Sequence, residues 1–87
     1  MSRKFSIMAI SFDKLDSEIE QYVSEYGSFD PYLFMSTDTA TAIVNEVGFE
    51  SAYPNSNIKL TDGAKARYCG YKVFIDDSLK LGMVEIR

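Results

Sequence analysis

The sequence predicts a single small α+β domain in the order β-α-β-α-β-β-β, with a mainly antiparallel sheet and two helices on one face of it. Three observations predict this. Residues 12–26 repeat apolar side chains at helical spacing. Tyr71 to Ile75 and Met83 to Arg87 alternate in the manner of strands. Two strand–helix pairs precede a strand-only tail, an order that puts helices on one side of an antiparallel sheet. Eighty-seven residues suffice for one domain with one modest core.

Phe5 to Ile10 is compact and apolar and reads as the first strand. Ser11 is placed to cap a helix from Phe12 to Tyr26, in which Phe12, Leu15, Ile19, Tyr22, Val23 and Tyr26 form the apolar stripe. Gly27 stands where a glycine ends a helix. Ser28-Phe29-Asp30-Pro31 is a loop, because Pro31 disfavours helix at the residue before it. Tyr32-Leu33-Phe34-Met35 is a short buried strand, and Ser36 caps a second helix, Thr37 to Val47, with Ala40, Ile43, Val44 and Val47 inward and Gly48 as its stop. Phe49 to Ser56 reads as irregular around Pro54-Asn55-Ser56, and Asn57 to Leu60 as a short strand. Asp62-Gly63 is a hairpin dipeptide, whose turn needs positive φ at both positions. Ala64 to Cys69 fits strand or loop, and Gly70 marks a bulge or bend. From Gly70 to Arg87 the chain reads as two strands joined tightly through Asp76-Asp77-Ser78, a hairpin closing the sheet. Phe12, Leu15, Ile19 and Val73 lead the expected core.

The net charge of −4 argues against a general nucleic-acid binder, which would carry a basic face. The charge is uneven. Residues 1–50 hold nine acids and three bases, and residues 51–87 hold four acids and six bases. Such a division suits head-to-tail association or a basic partner, while solvated faces of an ordinary domain are the plainer account. Cys69 is the only cysteine, so no intramolecular disulfide forms, as expected of a reducing compartment. The start of the chain has a short apolar run and no small-residue cleavage site, which reads as a strand rather than a signal peptide, and no run approaches membrane-spanning length.

Catalytic chemistry finds little support. There is no histidine, which removes histidine bases, Ser–His relays and histidine metal ligands. Asp76-Asp77 is too short a pattern for calcium and reads as a turn. Asp13, Asp16 and Glu20 share one side of the first helix and read as its solvated face rather than a metal site. Cys69 reads as a buried structural thiol, even with Lys65 and Arg67 nearby to lower its pKa. Ser36-Thr37-Asp38-Thr39 is explained by capping, and no glycine-rich loop is built to cradle phosphate. No catalytic residue, cofactor or metal is therefore expected. Tyr53, Tyr68 and Tyr71 are more informative, because tyrosine is enriched at protein interfaces. With Lys65 and Arg67 they form the expected partner-binding group, with core filling as the alternative role for the rings.

The order of features resembles the peripheral domain of tailed-phage major capsid proteins and of the encapsulin shells that share their fold. Leu15, Ile19 and Tyr22 match its helix. Pro31-Tyr32-Leu33-Phe34-Met35-Ser36-Thr37-Asp38-Thr39-Ala40 matches its "Pro-x-x-φ-φ-Met-Ser/Asn-x-x-Thr" segment, and Tyr53-Pro54-Asn55 its Tyr-Pro loop. Gly70-Tyr71-Lys72-Val73-Phe74-Ile75-Asp76-Asp77-Ser78-Leu79-Lys80-Leu81-Gly82 matches its closing run. The likeness covers most of residues 12–84. Capsid subunits of that family are several times longer and add an axial domain and an extended arm, so the resemblance implies an isolated domain of that lineage, or a small phage protein reusing it. Shell contacts are the family's function. The resemblance therefore implies a non-enzymatic, capsid-related role in structure or assembly, in the host cytoplasm or the virion. The partner would be a protein, either itself or a host protein, with no nucleic acid and no membrane. The alternative is a small acidic inhibitor that binds a host protein such as a defence nuclease of the CRISPR type.

Overall fold

A computed structural model describes residues 2–7, 10–27, 30–54, 56, 58 and 66–87. Ser11 begins the first helix, its side chain accepting from the Lys14 N–H at 3.2 Å, and α1 runs Phe12–Tyr26 with Leu15, Ile19 and Tyr22 buried. Ser36 does the same for α2, Thr37–Val44, through the Thr39 N–H. A one-turn helix, α3, covers Phe49–Ala52. The strands are β1 Arg3–Ser6, β2 Tyr32–Met35, β3 Arg67–Tyr68, β4 Tyr71–Ile75 and β5 Met83–Ile86.

These strands make one sheet in the order β1-β5-β2-β4-β3. Three neighbouring pairs are antiparallel, and β2–β4 is parallel. The α+β class and the mainly antiparallel sheet are as expected, but the closing hairpin is not. β4 and β5 do not pair, because β2 lies between them with Leu33 opposite both Val73 and Ile86. The turn at Asp76-Asp77-Ser78 instead launches a connection that passes the start of α2. There the Asp77 carboxylate accepts the Thr37 N–H at 2.7 Å, in addition to the cap from Ser36.

Other boundaries moved as well. β1 starts earlier and ends at Ser6, although the Ile7 N–H still donates to the Gly82 carbonyl. α2 stops at Val44, where the Asn45 N–H reaches back to the Thr41 carbonyl, and Val47 is left 94% exposed rather than inward. Phe49, expected in irregular chain, is buried at the head of α3. The open choice at Ala64 to Cys69 resolves to β3 for Arg67–Tyr68. Cys69 and Gly70 make the two-residue turn into β4 with φ of 50° and 85°, the double positive φ that such hairpins need. That assigns Gly70 to a turn rather than a bulge. The expected strand at Asn57 to Leu60 lies mostly outside the described residues; Ile58, which is described, is buried and not in a strand. Asp62-Gly63 lies wholly outside them.

One core cluster unites the helices with one face of the sheet. Phe5, Leu33, Met35, Val73, Val84 and Ile86 supply the sheet side; Leu15, Ile19, Tyr22, Ala40, Ile43 and Phe49 supply the helix side. Of the leading core residues, Leu15, Ile19 and Val73 are fully inside, and Phe12 packs against the cluster's rim. The alternate residues of each strand point the other way, and none of them joins the cluster. The helices thus cover one face and leave the other open. Among the described residues no helix is long and apolar enough to cross a membrane.

Candidate functional site

The expected tyrosine group lies on the covered side of the sheet, in the core cluster or packed against it. Tyr68 has no accessible surface, and Tyr53 and Tyr71 are partly buried. The Tyr53 and Tyr68 hydroxyls both donate to the Asp16 carboxylate, at 2.6 and 2.7 Å. Their rings continue a cluster with Phe12 and Phe49 at centroid separations of 5.1 to 6.4 Å. Burial, then bonding to Tyr53 and Asp16, pushes the Tyr68 pKa far up, and burial and Asp16 raise that of Tyr53. Both are therefore neutral donors holding a carboxylate. Asp16, expected on a solvated helix face, instead ties α1 to the loop after α3 and to β3.

Beside this knot lies a cavity of about 270 Å³ lined by Asp16, Ile19, Glu20, Cys69 and Tyr71. Cys69, expected as a buried structural thiol, is instead exposed at the hairpin turn; partial desolvation there and the Asp16 carboxylate still raise its pKa, which keeps the thiol protonated and poorly nucleophilic. Among the described residues no three His, Cys, Asp or Glu side chains gather as a metal site would require. Lys65 lies outside the described residues. Arg67 belongs to the other side of the sheet, since its neighbour Tyr68 points into the core.

That other side is the open face, and its centre is aromatic. Phe34 on β2 and Phe74 on β4 are cross-strand partners, and their rings stack with centroids 5.3 Å apart and planes 22° apart. Tyr32 meets Phe74 edge-on at 5.5 Å and is 42% exposed. The Arg87 guanidinium sits 4.0 Å from the Phe34 centroid, and the Lys72 ammonium 5.8 Å from that of Tyr32. Because β2 lies between β5 and β4, Arg87 covers one face of Phe34 and Phe74 covers the other. The result is a ridge of guanidinium, ring and ring standing across three strands.

Glu85 anchors one end of the ridge. Its carboxylate accepts from Arg87 Nη2 at 2.9 Å while the side chain is almost buried. That bond holds the Glu85 carboxyl below the usual carboxylate range and raises Arg87. Asp76, lowered chiefly by its hydrogen bonds from Ser78, stands 3.8 Å from the same guanidinium. Lys4 lies opposite Glu85 on β1, and Arg67 lies opposite Lys72 on β3. Sequence reasoning singled out none of Tyr32, Phe34, Phe74 or Arg87 as site residues. The available signal was β2 itself, apolar at every position, which is the pattern of a strand whose two faces both take cover.

The fold and the site thus define a small α+β domain with one helix-covered face and one aromatic, basic face. Compared with protein-family models, curated proteins and solved structures, the chain matches none.

Proposed function

We propose that this protein is a non-enzymatic binding protein that works through protein–protein contact, and that the open sheet face is its contact surface. The observation that carries this reading is the ridge of exposed Arg87 and half-buried Phe34 and Phe74, with exposed Tyr32 beside it. Aromatic rings and arginines of this kind anchor protein interfaces. The carboxylates that might have served chemistry are engaged in structural bonds: Asp16 to two tyrosines, Asp77 to the start of α2, Glu18 to Arg3 and Glu85 to Arg87. The motif order shared with capsid peripheral domains supports an assembly role for this contact.

Affinity capture from a lysate of its native source tests the surface. Wild type and Tyr53→Phe should recover the same protein, whereas Tyr32→Ser/Lys72→Glu should lose it with an unchanged melting temperature. Equal recovery by the open-face variant would remove this face from the function.

A further inference from the structure

Charge is sorted by element in this molecule. Among the described residues the three helices hold seven acids and one base, Lys14. The five strands described hold four bases and one acid, Glu85. Arg3 turns toward α1, where its Nε meets Glu18 at 2.6 Å. The other strand bases, Lys4, Arg67 and Lys72, lie on the open face with Arg87. An acidic protein therefore has a basic sheet face and an acidic helix layer on its opposite side.

Two details say what the basic face accepts. Arg67 and Lys72 are directly opposite each other across β3 and β4, an arrangement of like charges that destabilises a sheet. Neither has an ion-pair partner among the described residues. An incoming carboxylate would relieve that repulsion. The second detail is the stance of the rings. Both faces of Phe34 are occupied, one by Arg87 and one by Phe74, and Tyr32 abuts Phe74. Stacking a nucleic-acid base requires an open ring face. Here Phe34 lies between Arg87 and Phe74, and Lys72 stands over Tyr32. Occupied rings and four nearby cations together favour carboxylates over bases.

The chain carries such a surface itself. Asp13 and Glu20 are exposed on α1, seven residues apart and thus on one side of it, away from Leu15, Ile19 and Tyr22. Asp38 on α2 and Glu50 on α3 are exposed as well. We infer that the open sheet face docks on the acidic helix layer of a second copy of this chain. The contact is head-to-tail, so each copy keeps a free sheet face or helix layer for the next. This inference rests on the contact reading above and is independent of the capsid resemblance.

Sedimentation of purified protein tests it with two complementary variants. Wild type should form oligomers that grow with concentration, and the apparent Kd should rise about tenfold or more from low to high salt, as exposed charges are screened. Arg67→Glu/Lys72→Glu spoils the sheet face; Asp13→Lys/Glu20→Lys spoils the helix layer. Each alone should be monomeric with an unchanged circular dichroism spectrum. Mixed in equal amounts, they should form dimers and stop there, because only one good sheet face and one good helix layer remain per pair. If a double variant fails to fold, Lys72→Gln and Glu20→Gln replace it, each expected to weaken association several-fold. Wild type that is monomeric at every salt and concentration overturns the inference, as does a variant that still oligomerises. Binding of a single-stranded oligonucleotide that Lys72→Glu abolishes overturns it in favour of nucleic acid. A monomeric wild type whose captured partner still depends on Tyr32 and Lys72 removes the second copy but leaves the contact surface standing.

Discussion

The two faces of the sheet use the same kinds of side chain for opposite ends. On the covered face Tyr68 is wholly buried and spends its hydroxyl on Asp16. On the open face Tyr32 is 42% exposed, with a lysine over its ring. Carboxylates differ in the same way: Asp16 locks a helix to the sheet, while Glu85 holds an arginine against a ring. A residue type therefore says little about role in a chain this small. Which side of a strand it occupies decides whether it holds the fold or stands at the open face.

The sharpest way to break this comparison is through the covered face. Leu33→Ala removes a fully buried side chain from the central strand and should cost about 2–5 kcal/mol in denaturant unfolding. Loss of well under that range would show that the core is not where the burial puts it. Asp16→Asn should cost about 2–3 kcal/mol, since hydrogen bonds to a charged acceptor are the stronger kind and two are weakened at once. The tyrosines add a pH signature. Both pKa values are raised in the fold, so the stability they contribute is complete below the ordinary tyrosine value of about 10 and is lost as pH rises above it. The melting temperature should fall in that alkaline range, and fall less in a Tyr53→Phe/Tyr68→Phe variant.

Open-face changes should be milder. Phe74→Ala loses one stacked and one edge-on ring contact and should cost about 1 kcal/mol. Lys72→Glu should change stability by less than about 0.5 kcal/mol, in the stabilising direction if relief from Arg67 outweighs the lost contact with Tyr32. If Phe74→Ala cost as much as Leu33→Ala, the two faces would be equivalent and the open one would be a second core.

Local pattern told most of the elements and little of their arrangement. Ser11 and Ser36 marked both long helices, and the spacing of Leu15, Ile19 and Tyr22 located the inward side of α1. The insertion of β2 between β4 and β5 was illegible, because the turn residues at Asp76-Asp77-Ser78 look the same whether the strands they separate pair or part. The Asp16 knot was illegible too, since its partners are 37 and 52 residues away in sequence. The basic face was within reach. Lys4, Arg67, Lys72 and Arg87 are scattered along the chain, and dividing the charge by halves mixed them with the acids, whereas dividing it by element separates the two signs.

The placement of β5 has a consequence for how the molecule comes into being. β5 is the last strand in sequence yet sits second in the sheet, paired on one side with β1 and on the other with β2. Phe5 faces Val84 across most of the length of the chain. Until β5 docks, β1 has no neighbour and the edge of β2 beside it is bare. No stable sub-sheet containing β1 can form early, and the pairs that complete the sheet are those with the greatest loop-closure cost. Folding should therefore be cooperative and slow for a domain of this size, in the range of milliseconds to seconds typical of non-local topologies. During synthesis the sheet stays open until Ile86 has emerged, and for that interval the aromatic residues of β2 stand beside an unpaired edge, where a chain most readily finds the wrong neighbour.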